Sequence, residues 1–287
     1  MNLTSPNEVR SLLAGWGFRP SKVLGQNFLI DRNILRILVD AAGITPGDAV
    51  VEPGPGLGVL TEALLAKGAR VIAAEKDPVL AHWVREQLGA DGRLMVWEGD
   101  ALDAPLGEWF GQGGATKLVS NLPYAIAARL LMEAARLECR PVRMVVTVQK
   151  EVADRMAAAP GSADYGILAV GLQRHYAVKT VKVISRTCFW PAPEVTSAIS
   201  VLERRVNPLG GGADETVFLE VVRAGFGQRR KTLGNSLREM GGGAMLQSAG
   251  VPAGARPEEV SVEQWAAIAR EVEKWGKAPP PKQRGHN

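Results

Sequence analysis

The chain of 287 residues contains very little cysteine and histidine, with two residues of the first and three of the second. Cys139 and Cys188 are too few for a disulfide framework or for a cysteine-based zinc site. His82, His175 and His286 lie far apart in the sequence and match no spacing of metal ligands or of a catalytic triad. We therefore predict that the protein uses no metal.

Long apolar runs are also missing. No run reaches the length of a membrane span, and the first ten residues, M-N-L-T-S-P-N-E-V-R, lack the apolar stretch of a signal peptide. The composition, 46% hydrophobic and 22% charged, is typical of a folded globular protein. We predict a soluble, reduced, cytoplasmic protein without a membrane partner. Nothing in the sequence indicates an obligate oligomer, and we expect a monomer.

The net charge of +4 is small, but it is unevenly distributed. Residues 1–203 carry 21 basic and 21 acidic side chains, whereas residues 204–287 carry 13 basic and 9 acidic ones. The whole excess of positive charge therefore lies in the last third of the chain, which favours an anionic partner for that part.

Short apolar runs alternate with helical patterns through the first two thirds of the chain. This alternation predicts βαβ units and an α/β fold with a parallel sheet. Two later runs predict an antiparallel edge hairpin. The predicted strands are 49–51, 71–74, 94–96, 117–119, 144–148, 178–184 and 197–202, and the predicted helices are 7–15, 31–42, 58–66, 78–88, 125–135 and 151–158.

The pattern changes at the Pro/Gly-rich segment 207–213, after which only helical patterns follow. They cover 215–225, 231–240, 243–249 and 262–275. We predict an α/β domain over residues 1–205, a small all-α domain over residues 206–276, and a disordered basic tail over residues 277–287.

A glycine-rich loop follows the first predicted strand, in the sequence E-P-G-P-G-L-G from Glu52 to Gly58. Glycines between a strand and a helix allow a ligand to approach the backbone. Glu75 and Asp100 end the next two strands, so all three lie at the ligand-binding edge of the predicted sheet, and Glu75 is placed to accept ribose hydroxyls. A carboxylate at the loop disfavours pyrophosphate and favours a cationic ligand. The loop resembles the E-x-G-x-G-x-G loop of S-adenosylmethionine (SAM)-dependent methyltransferases.

A second motif, N-L-P-Y, follows the strand at 117–119. An aromatic exocyclic amine is a poor nucleophile because its lone pair is delocalised into the ring. The Asn121 side-chain oxygen and the Leu122 carbonyl can accept its N–H groups and favour a pyramidal nitrogen, while Pro123 fixes the turn. Tyr124 offers a ring face on which an extruded base can stack. The motif resembles motif IV of amino-methyltransferases that act on adenine.

Three further segments narrow the resemblance. K-V-L-G-Q-N-F-L (22–29), F-W-P-A-P-E-V-T-S-A (189–198) and F-G-Q-R-R-K-T-L-G-N-S-L (226–237) resemble segments of the KsgA/Dim1 family of rRNA adenine dimethyltransferases, in the family's order. Glu194 and Thr196 depart from the family pattern, which shows Lys and Asp there, and this puts RNA contacts near them in doubt.

The resemblance implies a Rossmann-like SAM-dependent methyltransferase fold and a role for each matching residue. Gln26, Asn27 and Leu29 would touch the methionine part of SAM. Tyr124 and Phe189 would enclose the flipped adenine. The implied cofactor-binding set is Gln26, Asn27, Leu29, Glu52, Gly54, Gly56, Glu75, Lys76, Asp100, Ala101 and Asn121.

A basic cluster, Arg223, Arg229, Arg230, Lys231 and Arg238, lies in the predicted helical domain, and the only acidic residue in or adjoining it is Glu239. Such a cluster binds phosphates without reading sequence. We add to this RNA-binding set Lys22, which begins the K-V-L-G-Q-N-F-L segment. This segment belongs to the N-terminal leader (residues 1–30), and residues 20–29 of that leader are named the leader segment.

We therefore predict an enzyme that uses SAM to dimethylate two adjacent adenines in a loop near the 3′ end of 16S rRNA, with the small ribosomal subunit precursor as partner and no DNA. Two alternatives remain open. One is a large-subunit (23S) rRNA methyltransferase of the macrolide-resistance type, and the other is a ribosome-assembly factor in which methylation is secondary.

Overall fold

The computed structural model describes residues 2–21, 24–227 and 231–277. Its strands are β1 Phe28–Leu29, β2 Ala49–Pro53, β3 Arg70–Glu75, β4 Leu94–Glu98, β5 Lys117–Asn121, β6 Arg143–Gln149, β7 Tyr176–Ile184, β8 Phe189–Trp190 and β9 Ser197–Arg204. Its α-helices are α1 Pro6–Gly15, α2 Arg32–Ala42, α3 Val59–Ala66, α4 Pro78–Leu88, α5 Leu106–Phe110, α6 Ala127–Arg136, α7 Lys150–Ala157, α8 Ile167–His175, α9 Glu215–Phe226, α10 Leu233–Ser236, α11 Gly242–Ser248 and α12 Val262–Lys277. Among these described helices, none has both the length and the apolar character needed to cross a membrane.

A seven-stranded sheet in the order β4-β3-β2-β5-β6-β9-β7 forms the centre of the α/β part. β2 to β6 run parallel, and β9 lies antiparallel between β6 and β7. The predicted α/β fold and antiparallel edge hairpin are therefore confirmed. β2, β3, β5 and β6 are buried over most of their length, as expected of the inner strands of a parallel sheet.

The strand order changes direction between β2 and β5. β2 pairs with β3 over its whole length but with β5 only at Val50 and Val51, so the two strands diverge toward their carboxyl ends. The buried Ser120 hydroxyl donates to the Pro53 carbonyl oxygen across this gap, at 2.5 Å. A point where the strand order reverses in an open α/β sheet is where ligands bind.

The helix α2 shows why the sequence folds as predicted here. Asp31 caps it, since one carboxylate oxygen accepts from the Ile34 N–H at 2.9 Å, and Gly43 ends it in the left-handed conformation (φ 56°). The buried face of α2 includes Leu38 and Val39, and it packs with β2, β6 and β9 side chains in one continuous core.

The N-terminal helix α1 belongs to a smaller apolar cluster. Val9 and Leu13 are buried there with Phe28 and Leu57, the latter from the glycine-rich loop. The Trp83 indole N–H donates to the Leu57 carbonyl oxygen at 3.1 Å, so this cluster also fixes the loop. β1 and β8 form a separate two-stranded antiparallel ladder next to it.

The described residues divide into two compact units. The first comprises the residues up to Ala157 and Tyr176–Arg205, and the second comprises Ala158–His175 and the residues from Val206 on. The domain boundary predicted at residue 205 did not anticipate that 158–175 joins the helical unit. The reason is α8, whose buried residues include Leu168, Val170 and Leu172 and which packs against α9 and α12.

A buried ion pair links α8 to α9 within the second unit. The Arg174 guanidinium, 1% exposed, donates to the Glu215 carboxylate at 3.1 Å and to the Ala213 carbonyl oxygen at 2.8 Å. The His175 ring nitrogen lies 2.9 Å from the same carboxylate. The guanidinium also lies over the Phe218 ring, 4.0 Å from its centre. Arg174 and Glu215 therefore compensate each other's charge within one unit.

Candidate active site

A cavity lies in the first unit, at the carboxyl ends of β2, β3 and β5, where the strand order reverses. Residues 24–29 of the leader segment form part of its wall. Every predicted cofactor-binding residue and the whole N-L-P-Y turn contribute to its lining: Gln26, Asn27, Leu29, Glu52, Gly54, Gly56, Glu75, Lys76, Asp100, Ala101, Asn121, Leu122, Pro123 and Tyr124. The structure therefore brings together residues that lie as far apart in the sequence as Gln26 and Tyr124.

The glycine-rich loop requires glycine at Gly54 and Gly56, the two glycines of the loop that line the cavity. Gly54 and Gly56 have φ of 68° and 60°, in the left-handed region that favours glycine. A Cβ atom on Gly54 would lie 3.0 Å from the Pro123 ring, and one on Gly56 would lie 3.1 Å from the Phe28 ring. The loop backbone thus forms a close-fitting floor between the N-L-P-Y turn and the leader segment.

Glu75 connects this loop to the end of β3. Its two carboxylate oxygens accept from the Gly56 N–H at 3.0 Å and from the Asp77 N–H at 2.9 Å. Burial, which leaves the side chain only 6% exposed, raises its pKa. A carboxylate held in this way has lone pairs left for hydroxyl groups of a ligand in the cavity.

Glu52 is the most deeply buried acid of the site, at 1% exposure. The Thr61 hydroxyl donates to one of its oxygens at 2.7 Å. Burial raises the pKa of Glu52 to about 8, and the nearby charge of Glu75 adds to the rise. A cationic group in the cavity would stabilise both carboxylates, so the site fits a ligand that carries positive charge.

Asp100 and Lys76 form an ion pair at the rim of the cavity, with 2.8 Å between Lys76 Nζ and Asp100 Oδ2. This hydrogen bond lowers the pKa of Asp100 and raises that of Lys76. The other Asp100 oxygen accepts from the Leu102 N–H at 3.0 Å, and Ala101 beside it is buried. Asp100 is therefore a fixed anionic acceptor.

Asp77, which the sequence did not single out, ties the leader segment to the chain that follows β3. Gln26 Nε2 donates to Asp77 Oδ2 at 2.9 Å, while Gln26 Oε1 accepts from the Ser21 N–H at 2.7 Å. Asp77 also caps α4. Its position directly after A-A-E-K, at the carboxyl end of a predicted strand, is the signal that could have identified it.

The N-L-P-Y turn is held by contacts that orient its polar groups. Asn121 Nδ2 donates to the Asn27 carbonyl oxygen at 3.0 Å, which leaves Asn121 Oδ1 as the acceptor of that side chain. The Leu122 N–H donates to the Thr147 carbonyl oxygen at 3.2 Å. No hydrogen bond from the described residues occupies the Leu122 carbonyl. Two acceptors are thus available within one turn.

Tyr124 lies partly buried at the end of this turn, and its hydroxyl is 2.5 Å from the Ser197 hydroxyl. Burial raises its pKa, so the phenol is neutral at physiological pH. The ring is thus an uncharged flat surface that lines the cavity beside the two acceptors.

Phe189 is the predicted site residue that the structure does not bring to the cavity. It is 2% exposed and belongs to the core cluster between α2 and the sheet, because the β1–β8 ladder pairs it with Leu29. Its predicted stacking on a base would require the ring to leave this core position, and that role stays a prediction.

The predicted RNA-binding residues belong to both units. Arg223, Lys231 and Arg238 are exposed in the second unit, and none of them forms an ion pair with another described residue. Lys22, Arg229 and Arg230 lie outside the described residues.

Comparison with known proteins gives consistent matches. The family model described as "Ribosomal RNA adenine dimethylase" matches residues 17–274. The chain is similar to the ribosomal RNA small subunit methyltransferase A of Pelotomaculum thermopropionicum, with 42% identity over 283 residues that cover 93% of this chain and 96% of the relative. It is also 43% identical over 241 residues, 82% of each chain, to the protein of that name from Geobacillus thermodenitrificans.

Two solved structures are similar to this fold. The crystal structure of a dimethyladenosine transferase from Plasmodium falciparum superposes with a TM-score of 0.71, at 24% identity, over 86% of this chain and 97% of the other. That of the 23S rRNA methyltransferase ErmE gives a TM-score of 0.63, at 29% identity, over 86% of this chain and 100% of the other.

Proposed function

Because the chain belongs to the ribosomal RNA adenine dimethylase family, we propose that it transfers methyl groups from SAM to the exocyclic amines of two adjacent adenines near the 3′ end of 16S rRNA. The observation that carries this proposal is the hydrogen bond from Asn121 Nδ2 to the Asn27 carbonyl. It fixes which atom of Asn121 can accept from the amine of a target base.

The cavity supports SAM as the methyl donor. SAM supplies, when bound, an electrophilic methyl group on a positively charged sulfur. Glu75 would accept the ribose hydroxyls, since both of its oxygens are already held in place by backbone N–H groups. Asp100 would accept from the adenine amine, with Lys76 beside it. Glu52 would compensate the positive charge of the methionine end, next to Gln26, Asn27 and Leu29.

The N-L-P-Y turn would activate the target amine. Asn121 Oδ1 and the Leu122 carbonyl would accept its two N–H groups, which draws the nitrogen lone pair out of the ring and toward the donor. Pro123 keeps the turn rigid, and Tyr124 would stack on the flipped base. No strong base is needed, because the amine loses its proton readily once the fourth bond to nitrogen has formed.

The second unit would supply affinity for RNA. Arg223, Lys231 and Arg238 are exposed there without acidic partners among the described residues, as phosphate-binding side chains must be. Arg229 and Arg230 complete this basic segment in the sequence. Selectivity would come from RNA shape and from unpaired adenines. The small ribosomal subunit precursor is the proposed partner, which places the reaction in the cytoplasm, with the protein acting as a monomer.

The large-subunit alternative is supported less well. The relatives with about 40% identity over most of the chain are named as small-subunit enzymes, whereas the 23S rRNA enzyme ErmE is 29% identical. The R-R-K-T-L segment and the leader segment also match the small-subunit pattern.

Labelled SAM and unmethylated ribosomal subunits test the proposal. Small subunits should gain label on two adjacent adenines near the 3′ end of their rRNA, and large subunits should gain none. Asn121→Ala should abolish labelling. Label on the large subunit would favour the ErmE-like activity instead. Rescue of a deletion strain by the inactive Asn121→Ala variant would favour an assembly role.

A further inference from the structure

The hydroxyl of Ser197 lies 2.5 Å from that of Tyr124, although neither motif analysis nor the proposed chemistry gives this serine a role. We propose that Ser197 is a positioning residue for methyl transfer, which holds the Tyr124 ring in the plane that receives the target base. This inference rests on the proposed function, because it concerns the same base.

The contact fixes the free end of the Tyr124 side chain. The backbone end is fixed by the turn, in which the Ile126 N–H donates to the Pro123 carbonyl oxygen at 3.2 Å. The ring can still rotate about two side-chain bonds from that end. Ser197 is the only hydrogen-bond partner of the Tyr124 hydroxyl among the described residues. Without it, the turn alone would not define the plane of the ring.

Ser197 is itself held firmly. It is fully buried and is the first residue of β9, where it pairs with Gln149 of β6 on one side and Ile184 of β7 on the other. Tyr124 follows β5, so its side chain reaches over the end of β6 to the next strand. The ring is thereby attached to a strand of the sheet rather than to a loop.

A fixed ring matters for two steps of the proposed reaction. A stacking surface that is already ordered loses little freedom when a base binds. The second methyl transfer takes place on an amine that has become bulkier, so it depends more strongly on how the base is held. A mobile ring would therefore release more of the monomethylated intermediate.

Ser200 provides a matched control on the same strand. It is also fully buried, and its hydroxyl has no hydrogen-bond partner among the described residues. Ser200→Ala and Ser197→Ala remove the same atom at equal burial from one strand. Only the second change removes a contact to Tyr124.

The experiment compares the wild-type chain with Ser197→Ala, Ser200→Ala, Tyr124→Phe and the double variant Ser197→Ala/Tyr124→Phe. It measures kcat/KM for unmethylated small subunits, the ratio of mono- to dimethylated adenine by mass spectrometry, and SAM affinity by calorimetry. Ser197→Ala and Tyr124→Phe should each lower kcat/KM by about tenfold and raise the monomethyl fraction. The double variant should be no worse than either, because both changes remove one bond. SAM affinity should not change, and Ser200→Ala should match the wild type.

The inference is overturned if Ser197→Ala and Ser200→Ala have the same kcat/KM and the same monomethyl fraction. It is also overturned if the losses in kcat/KM of Ser197→Ala and Tyr124→Phe add in the double variant, or if these losses parallel a loss of SAM affinity. If Ser197→Ala fails to fold, Tyr124→Phe is the deciding variant, because it removes the hydroxyl contact but keeps the aromatic ring and the serine. A wild-type kcat/KM and monomethyl fraction for Tyr124→Phe would then overturn the inference. A wild-type chain that does not methylate small subunits would contradict the proposed function instead.

Discussion

Glu52 is deeply buried and lines the cavity, so both the stability of the protein and ligand binding in the cavity depend on pH. Its pKa is raised from 4.5 to about 8, so the folded protein holds this proton more tightly than the unfolded chain. The free energy of unfolding of the unliganded protein therefore falls as pH rises between these values. A bound cation stabilises the carboxylate and reverses this penalty.

We predict that SAM affinity increases with pH up to about 8, by at most about tenfold per pH unit, and then levels off. Calorimetry in two buffers of different ionisation enthalpy would count the proton released on binding. Glu52→Gln should remove most of this release. What remains then reports Glu75, whose pKa burial also raises, and the ligand's own amine. An unchanged proton count in Glu52→Gln would refute the assignment.

Among single residues, the sequence predicted the acids and the tyrosine of the site but not the residues that hydrogen-bond to them. Glu52, Glu75 and Asp100 were identifiable because each follows the carboxyl end of a predicted strand. Thr61 and Ser197 were not, because a partner on another element depends on packing distances that no local pattern contains.

Among the elements, two aspartate-capped helices offer a comparison. Asp31 caps α2 by accepting from the Ile34 N–H at 2.9 Å, and Asp77 caps α4 by accepting from the Val79 N–H at 3.0 Å. Only Asp77 also accepts from Gln26 of the leader segment.

We predict that Asp31→Ala and Asp77→Ala each lower the free energy of unfolding by about 1 kcal/mol. Asp77→Ala should in addition weaken SAM binding severalfold, because the leader segment loses its anchor. Chemical denaturation and calorimetry would separate the two effects. If Asp31→Ala weakened SAM binding as much, the anchor would have no specific role.

The parallel strands were predictable because their apolar runs are continuous, and α2 because its period and cap agree. α8 was not, since it is buried on nearly all sides and therefore shows no amphipathic period. α5 has only five residues, and β1 and β8 two each, too few for a pattern.

One predicted helix was wrong in extent. Residues 231–240 form the four-residue α10 and a separate 3₁₀ turn, Arg238–Met240. The backbone N–H groups of Leu233 and Gly234 instead donate to the carbonyls of Ala255 and Ala253, both at 2.9 Å. These bonds hold the first turn of α10, and beyond it the Met240 N–H donates to the Leu237 carbonyl oxygen at 2.9 Å in the 3₁₀ turn that replaces further α-helix.

For the whole molecule, the uneven charge predicts how RNA binding responds to salt. Each phosphate contact contributes about 0.9 to the slope of log affinity against log salt. Arg223→Gln/Arg238→Gln should therefore weaken binding to small subunits and reduce the steepness of that slope by about 2. Filter binding over a salt series measures both quantities.

Arg256→Gln is the control for this experiment. Arg256 is an exposed arginine of the same unit, 62% exposed in its side chain, outside the basic segment and 3.9 Å from Glu258. Its slope should equal that of the wild type. Equal slopes for all three proteins would place the phosphate contacts elsewhere.

The placement of α8 between β6 and β7 has a consequence for the history of the chain. The second unit is not a contiguous stretch of sequence, so no single genetic breakpoint could add it or delete it. A chain that ended at Arg205 would retain α8 without α9 and α12, and would present Leu168, Val170 and Leu172 to water. Such intermediates would aggregate, and the two units are therefore expected to have been inherited together.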